Sequence, residues 1–308
     1  MRKTKIGGQA VIEGVMMKGP RSMAMAIRKS DGTIEVVKKS SVPLSQRHPL
    51  LKLPIIRGMA SFVDSLVTGM TSLTDSAKIY GEGLEEEYKP SRFERFLSEK
   101  TGMSADDIGI AFAVIIAVVL AVAFFVLLPT YVAGLLQQAI TSPLALNLIE
   151  GVIRIALFLG YMLLVTRMKD IQRVFEYHGA EHKVIHCFEH EEELTVENAR
   201  KYTTLHPRCG TNFLLLVLVV SIVLFSFLGW GNILWRTVWR LLLLPVVAGL
   251  AYELIRWAGS SDALIVRIIS WPGLMLQKLT TRQPDDQQLE VAIAAFNGVA
   301  DGEGDIWM

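Results

Sequence analysis

The stretch Ile108-Gly-Ile-Ala-Phe-Ala-Val-Ile-Ile-Ala-Val-Val-Leu-Ala-Val-Ala-Phe-Phe-Val-Leu-Leu128 decides the fold class of this chain. It has 21 residues and no charged side chain, and a helix needs about 20 mostly apolar residues to cross a bilayer. The whole composition agrees, because 51% of the 308 residues are hydrophobic and the mean hydropathy is +0.39. The sequence therefore predicts an integral membrane protein and excludes an ordinary soluble or a disordered chain.

Further apolar stretches at 144–166, 213–228 and 241–255 predict three more spans. The last is extended at its start by residues 233–240 and contains Pro245. The predicted fold class is a polytopic α-helical membrane protein with about four transmembrane helices and a small cytosolic β-containing N-terminal domain (α+β). The basic first residues lack an apolar h-region, so no signal peptide is predicted.

The polar parts of the chain predict a domain order around these spans. Residues 1–57 form a small β-rich cytosolic domain, with strands at 22–29 and 33–39 and a segment at 10–17 pairing with them. Residues 58–107 form amphipathic and charged helices, because apolar residues recur at helical spacing over 57–80. Next come transmembrane helices 1–2 (108–166), a cytosolic loop (167–212), transmembrane helices 3–4 (213–257) and interfacial and cytosolic C-terminal helices (258–308). Pro284-Asp285-Asp286 opens the last helix.

Charge predicts the orientation and removes one class of partner. The 129–143 loop has no Lys or Arg, whereas the 167–212 loop has seven, so both termini and the central loop are predicted to be cytoplasmic. Arg236 and Arg240 lie on the predicted outer side and argue against this orientation. A formal net charge of +1 gives no support to nucleic-acid binding. Only two cysteines, Cys187 and Cys209, exclude a disulfide scaffold.

The central loop carries the residues with the strongest chemical pattern. His178, His182, His186 and His190 recur every four residues, which aligns them along one helix face. Two histidines one turn apart can share a metal ion. His178-Gly-Ala-Glu181-His182 also matches the inverted zincin pattern H-x-x-E-H, in which the histidines bind zinc and the glutamate is the general base. The alternative is a polar helix face.

Three further sets of residues are candidates for the same or another site. His206 and Cys209 precede a predicted span and could complete a metal site; Cys209 as a nucleophile with His206 as base is the other reading. Glu253 is a candidate third ligand near the inner end of span four, or a partner of Arg256 or Arg208. Glu150 and Arg154 form an i,i+4 pair inside span two. They are candidates because charges in a span are costly, and the simpler reading is a mutually neutralising pair.

Four separated blocks resemble signatures of the YqhQ-like family. They are Gly7-Gly-Gln-Ala-Val-Ile-Glu-Gly-Val-Met-Met-Lys-Gly-Pro20, His178-Gly-Ala-Glu-His-Lys183, His206-Pro-Arg-Cys-Gly-Thr211, and Leu279-Thr-Thr-Arg-Gln-Pro-Asp-Asp286 with Leu289-Glu-Val-Ala-Ile293. The resemblance covers essentially the whole chain. It implies a bacterial multi-pass protein of the cell membrane, from a family of unknown function sometimes labelled a metal-dependent enzyme. Carried over by block, it points to Glu13, His178, Glu181, His182, His206, Arg208 and Cys209.

Two functions follow as hypotheses, and the sequence leaves open whether the protein is an enzyme. The first is a hydrolase-like enzyme with a divalent transition metal, zinc, at the cytosolic membrane face, acting on a lipid, a lipid-linked precursor or a membrane peptide. The second is an assembly or accessory factor of a translocation or envelope-synthesis complex, with a closed structural metal site. A small transporter is a third possibility. The expected partners are the lipid bilayer, membrane proteins and a second copy of the chain, with no nucleic acid.

Overall fold

The computed structural model describes residues 2–81, 91–102, 104–229, 232–260, 263–301, 303 and 306–307. Residues 82–90, inside the predicted 58–107 region, lie outside this set. Two compact units divide the chain. The first draws on Met1–Glu82, Tyr161–Ser221 and Leu243–Met308, and the second on Gly83–Gly160 and Ile222–Leu242.

The N-terminal part of the first unit is a four-stranded antiparallel sheet with strand order β1-β2-β3-β4. The strands are β1 (Gly7–Val11), β2 (Gly14–Lys18), β3 (Ser22–Arg28) and β4 (Ile34–Ser40). The segment predicted at 10–17 to pair with these strands is a hairpin, in which Val11 pairs with Gly14 across a two-residue turn and residues 14–18 pair with β3. Glu13 adopts a positive φ of 50° there. A Cβ on Gly14 would lie 2.2 Å from the Ala26 carbonyl oxygen, so this position requires glycine.

The helices follow in chain order. They are α1 (Leu44–Arg47), α2 (Ile56–Gly81), α3 (Arg92–Thr101), α4 (Ala105–Val122), α5 (Leu128–Leu135), α6 (Pro143–Val165), α7 (Lys169–Glu189), α8 (Val196–Arg200), α9 (Gly210–Ser226), α10 (Ile233–Ser260), α11 (Leu264–Thr280) and α12 (Asp286–Ala300). A 3-10 turn covers Pro49–Lys52, and a π-helical turn at Ala123–Leu127 joins α4 to α5. Asp285 caps α12 through a capping box with Gln288, as the acidic start of this segment predicts.

Both faces of the sheet are covered by helices. Val15, Met17 and Ala24 point to a core shared with α7 and α12. The alternate side chains, including Met16 and Met25, pack with the end of α2. Burial on both sides explains why β2 and β3 are apolar at nearly every position. The sheet therefore shares its core with later parts of the chain rather than closing a core of its own within residues 1–57.

Three helical segments are long and apolar enough to cross a membrane: Ile108–Leu135, Pro143–Val165 and Leu234–Ala258. The first runs beyond the predicted limit of 128, because the helical path continues through the π turn into α5. The predicted span at 213–228 corresponds to α9, a shorter apolar helix of 17 residues. The described residues thus give a mostly helical fold with three candidate spans and a small antiparallel sheet.

Candidate metal centre

Helix α7 brings His178 and His182 together on its buried side. Their rings lie one helical turn apart, with centroids separated by 4.5 Å. His182 is fully buried and His178 is mostly buried. Gly179 lies between them, and a Cβ there would lie 2.0 Å from the Arg282 carbonyl oxygen. The glycine therefore lets the chain that follows α11 run directly along this part of α7.

Backbone carbonyls fix the orientation of both rings. His178 Nδ1 lies 2.9 Å from the Thr280 carbonyl oxygen, and His182 Nδ1 lies 2.5 Å from the Thr204 carbonyl oxygen. A carbonyl oxygen only accepts, so each Nδ1 must carry the proton. Each Nε2 is then left with a free lone pair. Histidines that bind metals typically show this arrangement, in which the second ring nitrogen donates to a carbonyl or a carboxylate.

Cys209 supplies a sulfur atom to the same point. Its Sγ lies 3.1 Å from His178 Nε2, and the ligand atoms of His178, His182 and Cys209 all lie within 4.8 Å of one another. The loop before Cys209 is held by Gln277, whose side chain bonds both the N–H and the C=O of His206. Two nitrogens and one sulfur are ligands that Zn²⁺ accepts.

Glu181 adds a buried carboxylate beside these atoms. Its Oε2 lies 3.9 Å from His178 Nε2 and 3.8 Å from His182 Nε2. Burial raises the pKa of Glu181, while His178 and the Gly8 N–H act in the opposite direction. A Cβ on Gly8 would lie 2.7 Å from Glu181 Cγ. Strand β1 can therefore approach this carboxylate only because residue 8 is glycine.

His206 lies in a neighbouring group with His186 and Glu189, not with the first three ligands. His206 Nδ1 accepts the Arg208 N–H at 3.3 Å, so Nε2 carries the proton of the neutral ring and faces Glu189 Oε2 at 3.5 Å. Burial lowers the pKa of His206 to about 4. Glu189 also accepts hydrogen bonds from Arg208 and from the Thr4 N–H. A ring without a free lone pair and a carboxylate paired with Arg208 fit a metal poorly.

The pKa of Glu189 reflects these partners. Burial acts to raise it, but His206, Arg208 and the Thr4 N–H hold it below the ordinary value. The carboxylate is therefore ionised and fixed, and Arg208 also donates to the Thr4 carbonyl oxygen at 2.5 Å. Arg208 and His206 thus tie the Cys209 loop to the start of the chain.

Glu253 lies elsewhere in the same unit. Its carboxylate accepts hydrogen bonds from both Arg57 Nε, at 2.6 Å, and Arg57 NH2. Among the residues that the structure describes, it is not grouped with the histidines. Arg57 makes this ion pair, whereas the partners considered from the sequence were Arg256 and Arg208. The contact joins the start of α2 to α10.

Glu13 holds the β1–β2 hairpin against α7. Its carboxylate pairs with Arg173 and accepts a hydrogen bond from the Tyr177 hydroxyl at 3.2 Å. This places Glu13 one turn before His178 along α7. Hydrogen bonding to Glu13 raises the pKa of Arg173, and burial raises the pKa of Tyr177.

Glu150 and Arg154 form their predicted pair, with Arg154 NH2 2.7 Å from Glu150 Oε1. Both belong to the second compact unit. Arg240 also donates to the same oxygen. The pair is therefore a group with two arginines on one carboxylate, which differs from mutual neutralisation of two residues.

The supporting residues of the site could not be found from the sequence. Thr204 and Thr280 contribute backbone carbonyls, which no side-chain pattern announces. Gln277 acts from 71 positions away from His206. Gly8 is visible in sequence as part of a Gly-Gly pair, but the pair reads as an ordinary turn until Glu181 is placed beside it.

The fold and the site define a mostly helical protein with candidate membrane spans and a buried His/Cys/Glu cluster. The chain belongs to the family described as "Protein of unknown function (DUF1385)", whose model matches residues 53–302. It is 34% identical over 294 residues to the "Uncharacterized protein YqhQ" of Bacillus subtilis (strain 168), covering 94% of this chain and 91% of that protein. The predicted YqhQ-like resemblance is thereby confirmed. No solved structure matches the chain.

Proposed function

We propose that His178, His182 and Cys209 bind a zinc ion, and that the protein is a metal-dependent, hydrolase-like enzyme. The observation that carries the proposal is the pair of Nδ1 hydrogen bonds to Thr280 and Thr204, which leaves two Nε2 lone pairs beside Cys209 Sγ. Three protein ligands leave a fourth position for water, as in catalytic zinc sites. The same three ligands with Glu181 as a fourth would be a closed structural site.

The zinc would supply Lewis acidity and lower the pKa of a water molecule. Glu181, 3.8 Å from His182 Nε2, is the residue positioned to hold the proton taken from an attacking water. Cys209 directly precedes the apolar helix α9. The proposed substrate class is therefore amphiphilic: a lipid, a lipid-linked precursor or a membrane peptide whose scissile bond reaches the membrane face.

A shared core supports four crossings and a site on the cytosolic side. The sheet, α7 and α12 contribute to one core, so these elements lie on one side of a membrane. An even number of crossings must therefore separate α7 from α12. Helix α10 supplies one, and α9, charge-free and about 26 Å long at 1.5 Å per residue, is the best second. The Lys/Arg bias of the 167–212 loop supports the proposal that this side faces the cytoplasm of the bacterial cell.

The first test is the metal content of the detergent-purified protein, measured by elemental analysis after purification without chelators. We expect about one zinc per chain, lost in His182→Ala and in Cys209→Ser. The matched controls are His190→Ala, a histidine at the end of the same run, and Glu253→Gln, a carboxylate held by Arg57. Both controls should keep the metal. A metal-free wild type, or loss in both controls, contradicts the proposed site.

A second measurement separates the open site from the closed one. The bound zinc is replaced with Co²⁺, and the visible spectrum of the cobalt protein is recorded with and without azide as an added ligand. An open site predicts that azide changes the spectrum and that Glu181→Gln keeps the metal, because Glu181 is not a ligand. A closed site predicts no azide effect and loss or weakening of metal binding in Glu181→Gln.

The second candidate function is an accessory or assembly factor with a structural metal site. The burial of His182 and Glu181 favours it, because an enzyme must admit substrate to its metal. The closed-site outcome of the cobalt experiment would support this candidate. A defined membrane protein should then be recovered with this chain from gently solubilised membranes. If the partner is the protein itself, the recovered species should contain two copies of the chain.

A further inference from the structure

Three arginines and one glutamate meet in the interior of the second compact unit. Glu150, Arg154, Arg236 and Arg240 are all buried, with relative exposures between 1% and 7%. They lie on α6 and α10, two of the helices long and apolar enough to cross a membrane. Arg154 is at the middle of Pro143–Val165. A charge at that depth is costly unless a partner neutralises it.

One carboxylate oxygen holds the cluster together. Glu150 Oε1 accepts hydrogen bonds from Thr130 Oγ1 at 2.9 Å, from Arg154 NH2 at 2.7 Å and from Arg240 NH1. Both guanidinium groups also lie near the Phe225 ring, at 5.1 Å and 5.4 Å from its centroid. The two positive groups therefore converge on the same small volume.

Glu150 alone does not balance these arginines. Arg154 and Arg240 have one carboxylate between them in their ion pairs, which gives the three residues a formal charge of +1. Arg236, which donates to the Thr130 carbonyl oxygen at 3.2 Å, brings a further positive charge nearby. Like charges at short range in a medium of low dielectric constant repel strongly. The arrangement is more stable if a second negative charge is present.

The unsatisfied atoms of the cluster point to the kind of ligand. The buried Nε atoms of Arg154 and Arg240 and the buried Oε2 of Glu150 have no hydrogen-bond partner among the described residues, so the unpaired donors outnumber the unpaired acceptor. Each is an N–H donor, and a buried donor without an acceptor is costly. Two unused donors beside an excess positive charge call for an acceptor that is negatively charged.

We propose that this cluster binds a small monovalent anion, for which chloride is the probe, between Arg154 and Arg240. A single negative charge matches the formal charge of +1 on Glu150, Arg154 and Arg240 together. A small ion suits a site whose side chains are almost fully buried. The proposal goes beyond the metal-dependent function, because its residues belong to the other compact unit and it uses none of the zinc ligands.

The test compares the unfolding temperature Tm of detergent-purified wild-type protein in sodium chloride and in sodium gluconate at equal ionic strength. Gluconate is too large for such a site. An anion that binds only the folded state raises Tm in a saturable way, by about 3 °C here. Equal Tm values in the two salts at every concentration overturn the proposal, and this comparison needs no variant.

Substituting the arginines and substituting the glutamate should change chloride binding in opposite directions. Arg154→Gln and Arg240→Gln should lose the chloride-specific shift, while the exposed Arg95→Gln in the same unit should keep it. Glu150→Gln should lower the half-saturating chloride concentration by about threefold or more, because it removes a competing negative charge. A merely structural ion pair predicts a chloride-dependent Tm only after Glu150→Gln, where the arginines have lost their carboxylate, and none in the wild type. That result, or a chloride shift retained in Arg240→Gln, contradicts anion binding.

Discussion

Gly179 is the residue on which the approach of two distant segments depends. The N–H of Arg282 donates to the Phe175 carbonyl oxygen at 2.9 Å, and the Arg282 carbonyl oxygen lies against the Gly179 Cα. This contact places the Thr280 carbonyl where His178 Nδ1 can donate to it. One hydrogen atom in place of a methyl group thus orients a proposed zinc ligand.

We expect Gly179→Ala to lower the free energy of unfolding by about 2 kcal/mol, because the new Cβ meets backbone that cannot move aside cheaply. It should also lower the metal content, which a change in stability alone would not do. The control is Gly160→Ala, since a Cβ on Gly160 meets nothing within 4 Å. That variant should be neutral or more stable by about 0.5–1 kcal/mol. Denaturant titration and elemental analysis check both effects.

His206 predicts a pH dependence of stability. Burial lowers its pKa in the folded protein from the ordinary 6.5 to about 4. The unfolded chain therefore binds a proton that the folded chain does not as the pH falls from about 6.5 to 4. Stability is then lost over this window, by about 3 kcal/mol in total. His206→Gln should flatten the loss. An equally steep loss in His206→Gln would contradict the assignment.

The sequence predicts the candidate metal ligands better than it predicts the residues that hold those ligands in place. Four-residue spacing predicts that His178 and His182 share a face, because that depends only on helix geometry. The placement of Cys209 beside them and of His206 beside Glu189 depends on contacts across the chain. A local pattern carries no such information. Glu253 shows the same limit, since its partner Arg57 is 196 positions away.

At the level of elements, α12 completes the core of the sheet. Phe296 is fully buried and lies 4.6 Å from the Phe188 ring, centroid to centroid. A Cβ on Gly298 would lie 2.8 Å from the Ala24 Cβ, so the helix sits directly on β3. The sheet therefore depends on a helix that begins 246 positions after its last strand ends.

We expect Phe296→Ala to cost about 3–5 kcal/mol, the usual range for removing a large buried aromatic side chain. The loss should expose the sheet as well as the end of the chain, because both share the core. Limited proteolysis should then cut residues 2–40 faster than in the wild type. The control is Glu290→Ala on the exposed side of α12, where the ion pair with Arg28 contributes less than about 1 kcal/mol. Cleavage confined to the C-terminal residues would contradict the shared core.

The sequence predicts well those helices whose formation depends on the residues of the helix itself. The span starting at Ile108 and the amphipathic α2 follow from apolar content and spacing, and the start of α12 follows from its capping residues. The π turn at Ala123–Leu127 has no such cue, because its residues are as apolar as their neighbours. The sequence does not predict the hairpin turn at Glu13, because a positive φ at a non-glycine residue is uncommon.

For the whole molecule, the shared core predicts the sidedness of three surface positions. Thr141, Lys201 and Asp301 are exposed, and the native cysteines are buried. Single cysteines at these positions should react differently with a membrane-impermeant maleimide in intact cells. Thr141→Cys should be labelled directly, whereas Lys201→Cys and Asp301→Cys should need permeabilised cells. Opposite behaviour of the last two would contradict crossing by both α9 and α10.

The shared core also sets the order in which the molecule can be completed. Strand β2 and helix α12 are separated by roughly 270 residues, and a ribosome adds about 5–20 residues per second. For about 15–50 s, strand β2 has been made but α12, which covers its face together with α7, has not. The newly made N-terminal sheet therefore keeps exposed apolar surface, which favours aggregation, while the apolar helices of the chain enter the membrane. Translation speed and chaperone supply should limit the yield of this protein more than its final stability does.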